Sequence, residues 1–516
     1  MDKHKGEHNS IQTIIKFLVF LITLALQIVI LLLVYKGTNN LFIYSEVIFN
    51  ILKVFSIIYI IHKPINPSYK LTWIVLIAVL PVLGIVMFLL FGNVGIPKML
   101  KKTFIKNKEL SQKFLNYKKE DYMILKEMDI YKYKQACFLT NVSDYPLYRS
   151  NNIEYLDIGE KYLEKLLIDL KKAEKYIFLE YFIIAKSSMW EQIYSILGEK
   201  SKEGVKIYIL TDQIGSNRRI PDCFKENFNN PNIYTKMFNP IFPFLSIHIN
   251  YRDHRKIAVI DGRVAYTGGI NIGDEYINKT STLGHWKDTG VRITGKSVTN
   301  FVIMFLRMWN IENKNKILNY SDFVLEEPNY PNDDNGFILP FCDGPHNHNN
   351  PSENTYINMI NSAKRSVYIT TPYLILDNET LISLTNAALA GIDVRIIIPH
   401  IPDKKIVFTL SRSYYEKLLK AGVKIYEYEK GFIHSKMCVV DSSVAVIGTI
   451  NFDFRSLYLN YECGVWLYNT GTEKKIQEDF LLTQENSIQI KYENWKKRSF
   501  LKKIFEAILI SIAPLL

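Results

Sequence analysis

One pattern occurs twice in the chain, and this repetition limits what the chain can fold into. Residues 254–271 read HRKIAVIDGRVAYTGGIN and residues 434–451 read HSKMCVVDSSVAVIGTIN, with His, Lys, Asp, Gly and Asn at matching offsets. The segments before them also match, since AEKYIFLEYFII (173–184) is similar to AKRSVYITTPYLI (363–375). The repeated unit is therefore larger than the quoted strings, and it predicts a duplicated domain.

Each copy has the alternating pattern of an α/β domain. In the first copy a strand pattern at 175–184 precedes a helical pattern at 189–204 and a second strand pattern at 205–213. The same order recurs in the second copy, at 363–375, 380–391 and 392–400. We therefore predict an α/β fold made of two halves that face each other in a pseudo-twofold arrangement.

The repeated string predicts a β-hairpin that presents three polar side chains at one rim. Residues two apart in a strand share a face, so His254 and Lys256 project together. A turn at Asp261-Gly262 brings the return strand back, and Asn271 then lies beside His254. The second copy presents its own set in the same way, with His434, Lys436, Asp441 and Asn451.

These residue types suit displacement at phosphorus. A neutral imidazole can attack the phosphorus atom, a lysine can hold the phosphate charge, and an asparagine amide can donate to a non-bridging oxygen. The reaction also needs a proton donor for the leaving oxygen, so one histidine must start neutral and the other charged. For Asp261 and Asp441 two roles stay open, a catalytic one and the bracing of the hairpin turn.

The N-terminal fifth is apolar enough to be a membrane anchor. Residues 11–34 and 71–91 are each long enough to cross the roughly 30 Å hydrocarbon core of a bilayer. Residues 41–61 either span as well or lie buried against their neighbours, since they contain Glu46, Asn50 and Lys53. The lysine-rich flank that follows predicts a multi-pass cell-membrane protein whose remaining chain is cytoplasmic.

The net charge and the cysteine content limit which partners and which metal sites the chain can have. The net charge of +12 suits a phosphate-bearing partner, either a lipid head group or a nucleic acid. The five cysteines contain no C-x-x-C pair, which predicts reduced thiols and no zinc site.

Two further segments have two possible environments. Residues 238–249, with Phe242 and Phe244, contact either the bilayer or the protein core. The tail from residue 495 is first basic and then apolar, and it forms either an interfacial helix or a buried one.

These patterns divide the chain into six predicted segments. The segments are a transmembrane anchor (1–97), a basic juxtamembrane linker (98–149), the first half (150–310), a linker rich in Asn, Asp and Pro (311–345), the second half (346–485) and an amphipathic tail (486–516).

The doubled motif resembles the phospholipase D superfamily, whose signature H-x-K-x4-D-x6-G-[GST]-x-N is met at both sites over about residues 150–485. The resemblance implies that His254 forms a phosphohistidine and that His434 is the general acid, with no metal or other cofactor. It also implies that Asp288 and Glu462, in HWKDT and NYECG, are the carboxylates that hydrogen-bond the histidines. Together with Asn271 and Asn451 they complete the expected site.

Further stretches are similar to the bacterial cardiolipin synthase branch of that superfamily. They are NPSYKLTWIVLIAVLPVLG (66–84), LEYFII, LTDQIGS, DHRKIAVIDG, GGINIGDEY and NFDFRS (451–456). Two positions depart from the common pattern, Thr449 in place of Ser and Lys287 in place of Arg; the second replaces a forked guanidinium by a point charge.

The resemblance implies that one phosphatidylglycerol gives its phosphatidyl group to another, which yields cardiolipin and glycerol. Phosphatidylglycerol and the membrane are then the partners, without nucleic acid. Transfer to another lipid acceptor, hydrolysis by water and, with the least support, nuclease activity stay open as alternatives, as does the oligomeric state.

Overall fold

The computed structural model describes residues 40–92, 98–149, 152–216, 220–224, 231–238, 251–280, 282–311, 317–325, 336–347 and 349–515. The chain forms two compact units. The first comprises residues 1–95, 241–250 and 507–516, and the second comprises residues 96–240 and 251–506. The predicted segment 11–34 and all but the first residue of 238–249 lie outside the described residues.

The first unit contains three apolar helices, α1 (Asn40–His62), α2 (Pro67–Val79) and α3 (Pro81–Phe91). Residues 71–91, predicted as one span, lie in two helices rather than one, because the chain leaves helical geometry at Leu80, with φ −128° and ψ 75°. Pro81 explains the break, since proline has no N–H for the helical ladder and disfavours a helical residue before it. Among the described residues, no helix is both long and apolar enough to cross a membrane.

A small aromatic core holds these helices together. Trp73 is 1% exposed and makes edge-to-face contacts with Tyr69 and Phe88, at centroid distances of 6.2 and 5.4 Å. The side chain of Asn66 caps α2 by accepting from the Ser68 N–H at 2.8 Å.

The predicted juxtamembrane linker is folded. Residues 98–149 form α4 (Lys98–Gln112), α5 (Lys119–Met128), α6 (Ile130–Ser143) and a short strand, β1 (Tyr148–Arg149). The amide of Gln135 on α6 donates to Ser362 Oγ at 2.8 Å, and β1 pairs with a strand of the second half. Within this segment α6 and β1 therefore pack with the second half, whereas Ser111 of α4 contacts Arg307 of the first half.

The first half has the predicted alternation of strands and helices. Its strands are β2 (Asn152–Leu156), β3 (Tyr176–Tyr181), β4 (Lys206–Asp212), β5 (Ile233–Phe238), β6 (Lys256–Ile260), β7 (Val264–Gly268), β8 (His285–Lys287) and β9 (Gly290–Thr294). Its helices are α7 (Gly159–Lys171), α8 (Ser188–Lys202), α9 (Gln213–Ser216) and α10 (Val298–Trp309). Seven of the strands form one sheet in the order β2-β9-β7-β6-β3-β4-β5.

The second half repeats this arrangement. Its strands are β10 (Phe337–Asp343), β11 (Ser366–Thr370), β12 (Asp393–Pro399), β13 (Lys424–Tyr428), β14 (Gly431–Ile433), β15 (Met437–Val440), β16 (Val444–Gly448), β17 (Glu462–Tyr468) and β18 (Ser487–Ile490). Its helices are α11 (Pro351–Asn361), α12 (Asn378–Leu389), α13 (Lys405–Ser413), α14 (Tyr415–Lys420), α15 (Thr472–Glu485), α16 (Tyr492–Trp495) and α17 (Phe500–Ile512). The sheet order is β1-β10-β17-β16-β15-β11-β12-β13-β18.

The duplication extends to strand order. Between its two edge strands, β1 and β18, the second sheet repeats the order of the first strand for strand. Because β10 occupies 337–343, the second half begins inside the segment predicted as linker, and β18 extends it past the predicted end at 485. The sequence missed β10 because Asn, Asp and Pro just before it gave the whole segment the composition of a loop.

The two halves meet around the repeated hairpins. Strands β7 and β9 lie against β16 and β17. A two-stranded parallel sheet also links the halves, since β8 pairs with β14 in the register His285 to Gly431 and Lys287 to Ile433. Both repeated motifs therefore lie at one interface.

Candidate active site

Both copies of the repeated string form the predicted hairpin. In the first copy β6 pairs with β7, and in the second β15 pairs with β16, both antiparallel. The turn residues Asp261 and Asp441 have positive φ values of 53° and 54°, as does the residue after each of them, which is the geometry of a tight hairpin turn. Each histidine lies just before the first strand of its hairpin.

The two histidines are each held by a carboxylate from the opposite half. The Nδ1 atom of His254 lies 2.9 Å from both carboxylate oxygens of Glu462, and Nδ1 of His434 lies 2.6 Å from Oδ2 of Asp288. Because Nδ1 is engaged in both rings, Nε2 is the nitrogen left for chemistry. The sequence singled out both carboxylates without specifying which histidine each serves, and the structure assigns them crosswise.

Backbone hydrogen bonds also join each histidine to the half that supplies its carboxylate. The His254 N–H donates to the carbonyl of Tyr461 at 2.9 Å, and the His434 N–H donates to the carbonyl of Lys287 at 2.7 Å. In each case the acceptor residue directly precedes the carboxylate residue. Histidine and carboxylate are thus positioned by main chain as well as by side chain.

The two carboxylate pockets differ by one residue on the return strand. A Cβ at Gly269 would lie 2.0 Å from Oδ1 of Asp288, so only glycine leaves room for that carboxylate. At the equivalent place in the second copy, the hydroxyl of Thr449 donates to Glu462. The departure from Ser noted in the sequence therefore keeps the hydroxyl hydrogen bond.

The two lysines are completely buried beside their histidines. Lys256 Nζ donates to the carbonyl oxygen of His254 at 2.6 Å, and Lys436 Nζ donates to that of His434. Burial is the main cause that lowers the pKa of Lys256 to about 8 and that of Lys436 to about 7. Each ammonium has donors beyond this one contact, so it can bind a phosphate oxygen.

Burial also lowers the pKa of both histidines. The value falls to about 4 for His254, where Lys256 opposes protonation and Glu462 favours it, and to about 3 for His434. Both rings are therefore neutral near pH 7, which differs from the expectation that one starts charged. A phosphodiester bound between them would bring negative charge and raise the pKa of the acid histidine.

These pKa values predict a bell-shaped dependence of kcat/KM on pH. Activity should fall below about pH 4, where His254 gains a proton and can no longer attack. It should also fall above about pH 7, where Lys436 loses the charge that holds the phosphodiester, whose negative charge keeps His434 protonated. In Lys436→Arg the guanidinium stays charged, so the alkaline limb should move to the pKa of Lys256, about 8. Steady-state rates from pH 3.5 to 10 test this; an unmoved alkaline limb would contradict it.

The two predicted asparagines have different surroundings. The side chain of Asn271 accepts from the Ile183 N–H at 3.0 Å and donates to the hydroxyl of Tyr276 at 2.8 Å. The buried Oδ1 of Asn451 has no hydrogen-bond partner among the described residues. Asn271 is therefore engaged in holding its own half together, and the Asn451 side chain forms a hydrogen bond with Asp453.

The carboxylates of Asp261 and Asp441 bind backbone at the turn end of their hairpins. Asp261 accepts from the N–H groups of Glu174, Lys175 and Tyr176 at 2.7–2.8 Å. Asp441 accepts from three equivalent N–H groups, those of residues 364–366. Of the two roles left open, these contacts favour the bracing of the hairpin.

Asp261→Ala is accordingly expected to affect stability rather than chemistry. The variant leaves three N–H groups without an acceptor and should lower the free energy of unfolding by about 3 kcal/mol. Asp441→Ala should cost less, because the 364 and 365 amides are more exposed. Denaturant unfolding measures both, and kcat of the folded variants should stay near the parent value; a large loss of kcat would favour the catalytic role.

Sequence reasoning missed the aromatic walls of the site. The ring of Phe182 contacts His254 at 5.1 Å between centroids, and the rings of Tyr276 and Trp286 contact His434 at 5.6 and 5.4 Å. Their positions in LEYFII, GGINIGDEY and HWKDT were the available signal. These rings explain why both imidazoles are poorly hydrated.

Lys287 does not face the histidines. Its ammonium pairs with Asp479 at 2.6 Å and donates to the carbonyl of Asp157, also at 2.6 Å. The lysine that replaces the more common arginine is therefore a tether between the halves.

One group of carboxylates lies close enough to hold a metal ion among the residues that the structure covers, and it is remote in sequence from both motifs. It consists of Glu353, Asp377 and Glu379. Burial and the hydrogen bond that its protonated carboxyl donates to Asp377 raise the pKa of Glu353 to about 9, and the Tyr458 hydroxyl donates to both carboxyl groups at 2.6–2.8 Å. A shared proton thus satisfies this pair.

Comparisons with known proteins identify a family. A family model described as "Cardiolipin synthase, PLD-like domain" matches residues 166–309 and 356–483, and one described as "Phospholipase_D-nuclease N-terminal" matches residues 51–93. The cardiolipin synthases of Alkalihalophilus pseudofirmus and Halalkalibacterium halodurans are 36% and 37% identical to this chain, and each match covers 91% of this chain and 93% of the relative.

A solved structure shares the fold at much lower sequence identity. The phosphatidylserine synthase of Haemophilus influenzae superimposes with a TM-score of 0.54 at 14% identity, over 74% of this chain and 97% of that one. With the family match covering both halves and every motif residue present twice, the chain belongs to the cardiolipin synthase family of phospholipase D-like phosphatidyltransferases.

Proposed function

We propose that this chain makes cardiolipin from two molecules of phosphatidylglycerol through a phosphohistidine on His254. The observation that carries the proposal is the crossed pairing of two histidines with two carboxylates beside two buried lysines. A single interface thereby supplies a nucleophile, a proton carrier and two cations to one phosphodiester. The names of the relatives favour cardiolipin as the product.

In the first step Nε2 of His254 attacks the phosphorus of one phosphatidylglycerol. The bond between phosphorus and the terminal glycerol oxygen breaks, and Nε2 of His434 donates a proton to that oxygen, so glycerol leaves. Glu462 stabilises the positive charge that develops on the His254 ring, as a buried carboxylate does for an imidazolium. Lys256 and Lys436 hold the non-bridging oxygens.

The second step reverses these roles. His434, now neutral, takes a proton from a glycerol hydroxyl of a second phosphatidylglycerol, and that oxygen attacks phosphorus. The phosphorus–nitrogen bond breaks, and His254 returns to its starting form with cardiolipin released. Asp288 holds His434 in the orientation that both steps require.

Exposed apolar side chains support a location at the cell membrane. Helix α1 exposes Ile48, Phe55 and Ile58, with more than half of each side chain accessible, and α17 exposes Phe500 and Leu501 to 75% and 77%. Exposed apolar side chains of this kind on a helix are typical of contact with lipid. We propose that the N-terminal segment anchors the chain as a multi-pass protein with both halves on the cytoplasmic side.

The direct test uses the purified full-length chain in phosphatidylglycerol micelles. We expect cardiolipin and free glycerol in equal amounts, measured by lipid mass spectrometry and a coupled glycerol assay. His400→Ala, at an exposed histidine paired with Glu427, should act like the parent. Phosphatidic acid without cardiolipin would indicate a hydrolase, and cleavage of labelled DNA a nuclease; either result would overturn the proposal.

A further inference from the structure

A second cavity lies behind the His254 site, within the second unit. Its volume is about 410 Å³, and the catalytic histidines, lysines and asparagines are not among its lining residues. The residues that matter here are Lys101 and Lys108 of α4, Arg307 of α10, and Arg255, Asp144 and Tyr461.

Two of these residues are chain neighbours of catalytic groups. Arg255 lies between His254 and Lys256, and Tyr461 directly precedes Glu462. Side chains of adjacent residues in extended chain point to opposite faces. The cavity is therefore on the reverse side of the wall that carries the His254–Glu462 pair.

The wall of this cavity contains buried donors without acceptors. Arg307 donates through Nε to Ser111 Oγ at 2.8 Å, but its buried Nη2 has no hydrogen-bond partner, and no described carboxylate ion-pairs with it. The hydroxyl of Tyr461, a residue that is 1% exposed, is likewise buried without a partner. Buried polar groups left unpaired are costly, so two in one wall indicate that something else accepts from them.

Charge points to an anion. The lining holds four cationic side chains, Lys101, Lys108, Arg255 and Arg307, and one carboxylate, Asp144, which pairs with Lys108 at 2.6 Å. Arg255 is balanced by Glu180 and Asp253. Of the two arginines, Arg307 is the one with which no described carboxylate forms an ion pair.

The duplication provides an internal comparison. Lys287 precedes Asp288 as Tyr461 precedes Glu462, so the two residues occupy equivalent places behind the two histidine–carboxylate pairs. Behind the Asp288 pair, Lys287 is neutralised by Asp479, whose other oxygen accepts from Tyr155 at 2.7 Å. Behind the Glu462 pair, no described carboxylate forms an ion pair with the cation Arg307; Asp144, which pairs with Lys108, acts on it only at longer range.

We infer that this cavity binds a phosphate-bearing group, with Arg307 and Tyr461 as its donors. A guanidinium and a phenol suit phosphate oxygens, and the partly apolar walls around Phe104 accommodate the glycerol portion of a phosphoglycerol ligand. The same chemistry is offered by free phosphate, by glycerol 3-phosphate and by a phospholipid head group. The site is separate from the proposed reaction and does not depend on it.

Calorimetric titration of the full-length protein in detergent tests this inference. A His254→Ala background prevents turnover, and the probes are inorganic phosphate, glycerol 3-phosphate and dihexanoyl phosphatidylglycerol. We expect two binding events for at least one probe, of which one is weakened about tenfold or more by Tyr461→Phe and by Arg307→Gln. Arg263→Gln, at an exposed arginine paired with Glu174, is the matched control and should bind like the background protein.

The outcomes separate the possible sources of the phosphate. A response to inorganic phosphate means that the phosphate group suffices, whereas a response confined to the lipid probe assigns the site to a membrane lipid. Tyr461→Phe should keep the unfolding temperature, because its hydroxyl has no partner to lose; it therefore remains informative if Arg307→Gln fails to fold. Isotherms of both variants that match the background for all three probes would overturn the inference.

Discussion

His254→Ala is expected to lower kcat for cardiolipin formation by about 10⁴-fold or more, because the variant has no group to form the covalent intermediate. His434→Ala should lower kcat by about 10²–10⁴-fold, the range that general acid–base catalysis contributes. Both side chains are buried, so the folded state of each variant should be checked by its unfolding temperature. A variant at either position that keeps parental turnover would contradict the proposed mechanism.

The roles of the two histidines can be separated with an activated substrate. If the glycerol leaving group is replaced by a nitrophenolate, which leaves without a proton, His434→Ala should regain nitrophenol release and accumulate phosphohistidine on His254. His254→Ala should stay inactive with the same substrate. The reverse result would assign the nucleophile to His434.

The crossed carboxylates predict that damage to one half disables the histidine of the other. Glu462→Gln should lower kcat by about 10²–10⁴-fold, as when the acid partner of a catalytic imidazole is lost. Although Glu462 is in the second half, this variant should behave like a defect in His254, which is in the first. Its activity with the nitrophenyl substrate should therefore stay low.

Asp288→Asn should show the opposite behaviour. It should lose cardiolipin formation by a similar factor but regain nitrophenol release, since it impairs His434. Combining Glu462→Gln with His254→Ala should add little to the loss from His254→Ala alone, because the two residues act as a unit. Glu154→Gln, at a partly exposed glutamate paired with Lys165, is the control. Rescue of Glu462→Gln rather than Asp288→Asn by the activated substrate would contradict the crossing.

Much of the fold could be predicted from local patterns in the sequence. The strands at 175–184 and 205–213, the helix at 189–204 and their counterparts in the second half follow from hydrophobic periodicity. The hairpins at 254–271 and 434–451 follow from a turn signal between two buried strands. The break at Leu80 was also readable, since Pro81 lies inside the predicted span and proline interrupts a helical ladder. Apolar content outweighed that signal in the prediction of a single span.

Contacts between the halves could not be derived from spacing along the chain. Asp288 and Glu462 were identified, yet their exchange between histidines depends on how the two sheets meet, which no local pattern encodes. The pairing of Lys287 with Asp479 is likewise a contact between the halves that no local pattern encodes. For Asp261 the residue type fitted two roles equally, and its contacts with three backbone amides favour one of them.

The exchange of carboxylates also affects how a repeated protein of this kind can change over generations. A duplicated domain ordinarily frees one copy to drift while the other keeps the original task. Here each imidazole is paired with a carboxylate of the opposite copy, so both copies are required. If one copy loses its carboxylate, the intact motif of the other copy cannot replace it. A single copy expressed alone would need a second molecule of itself, docked across the same interface, to complete even one histidine–carboxylate pair.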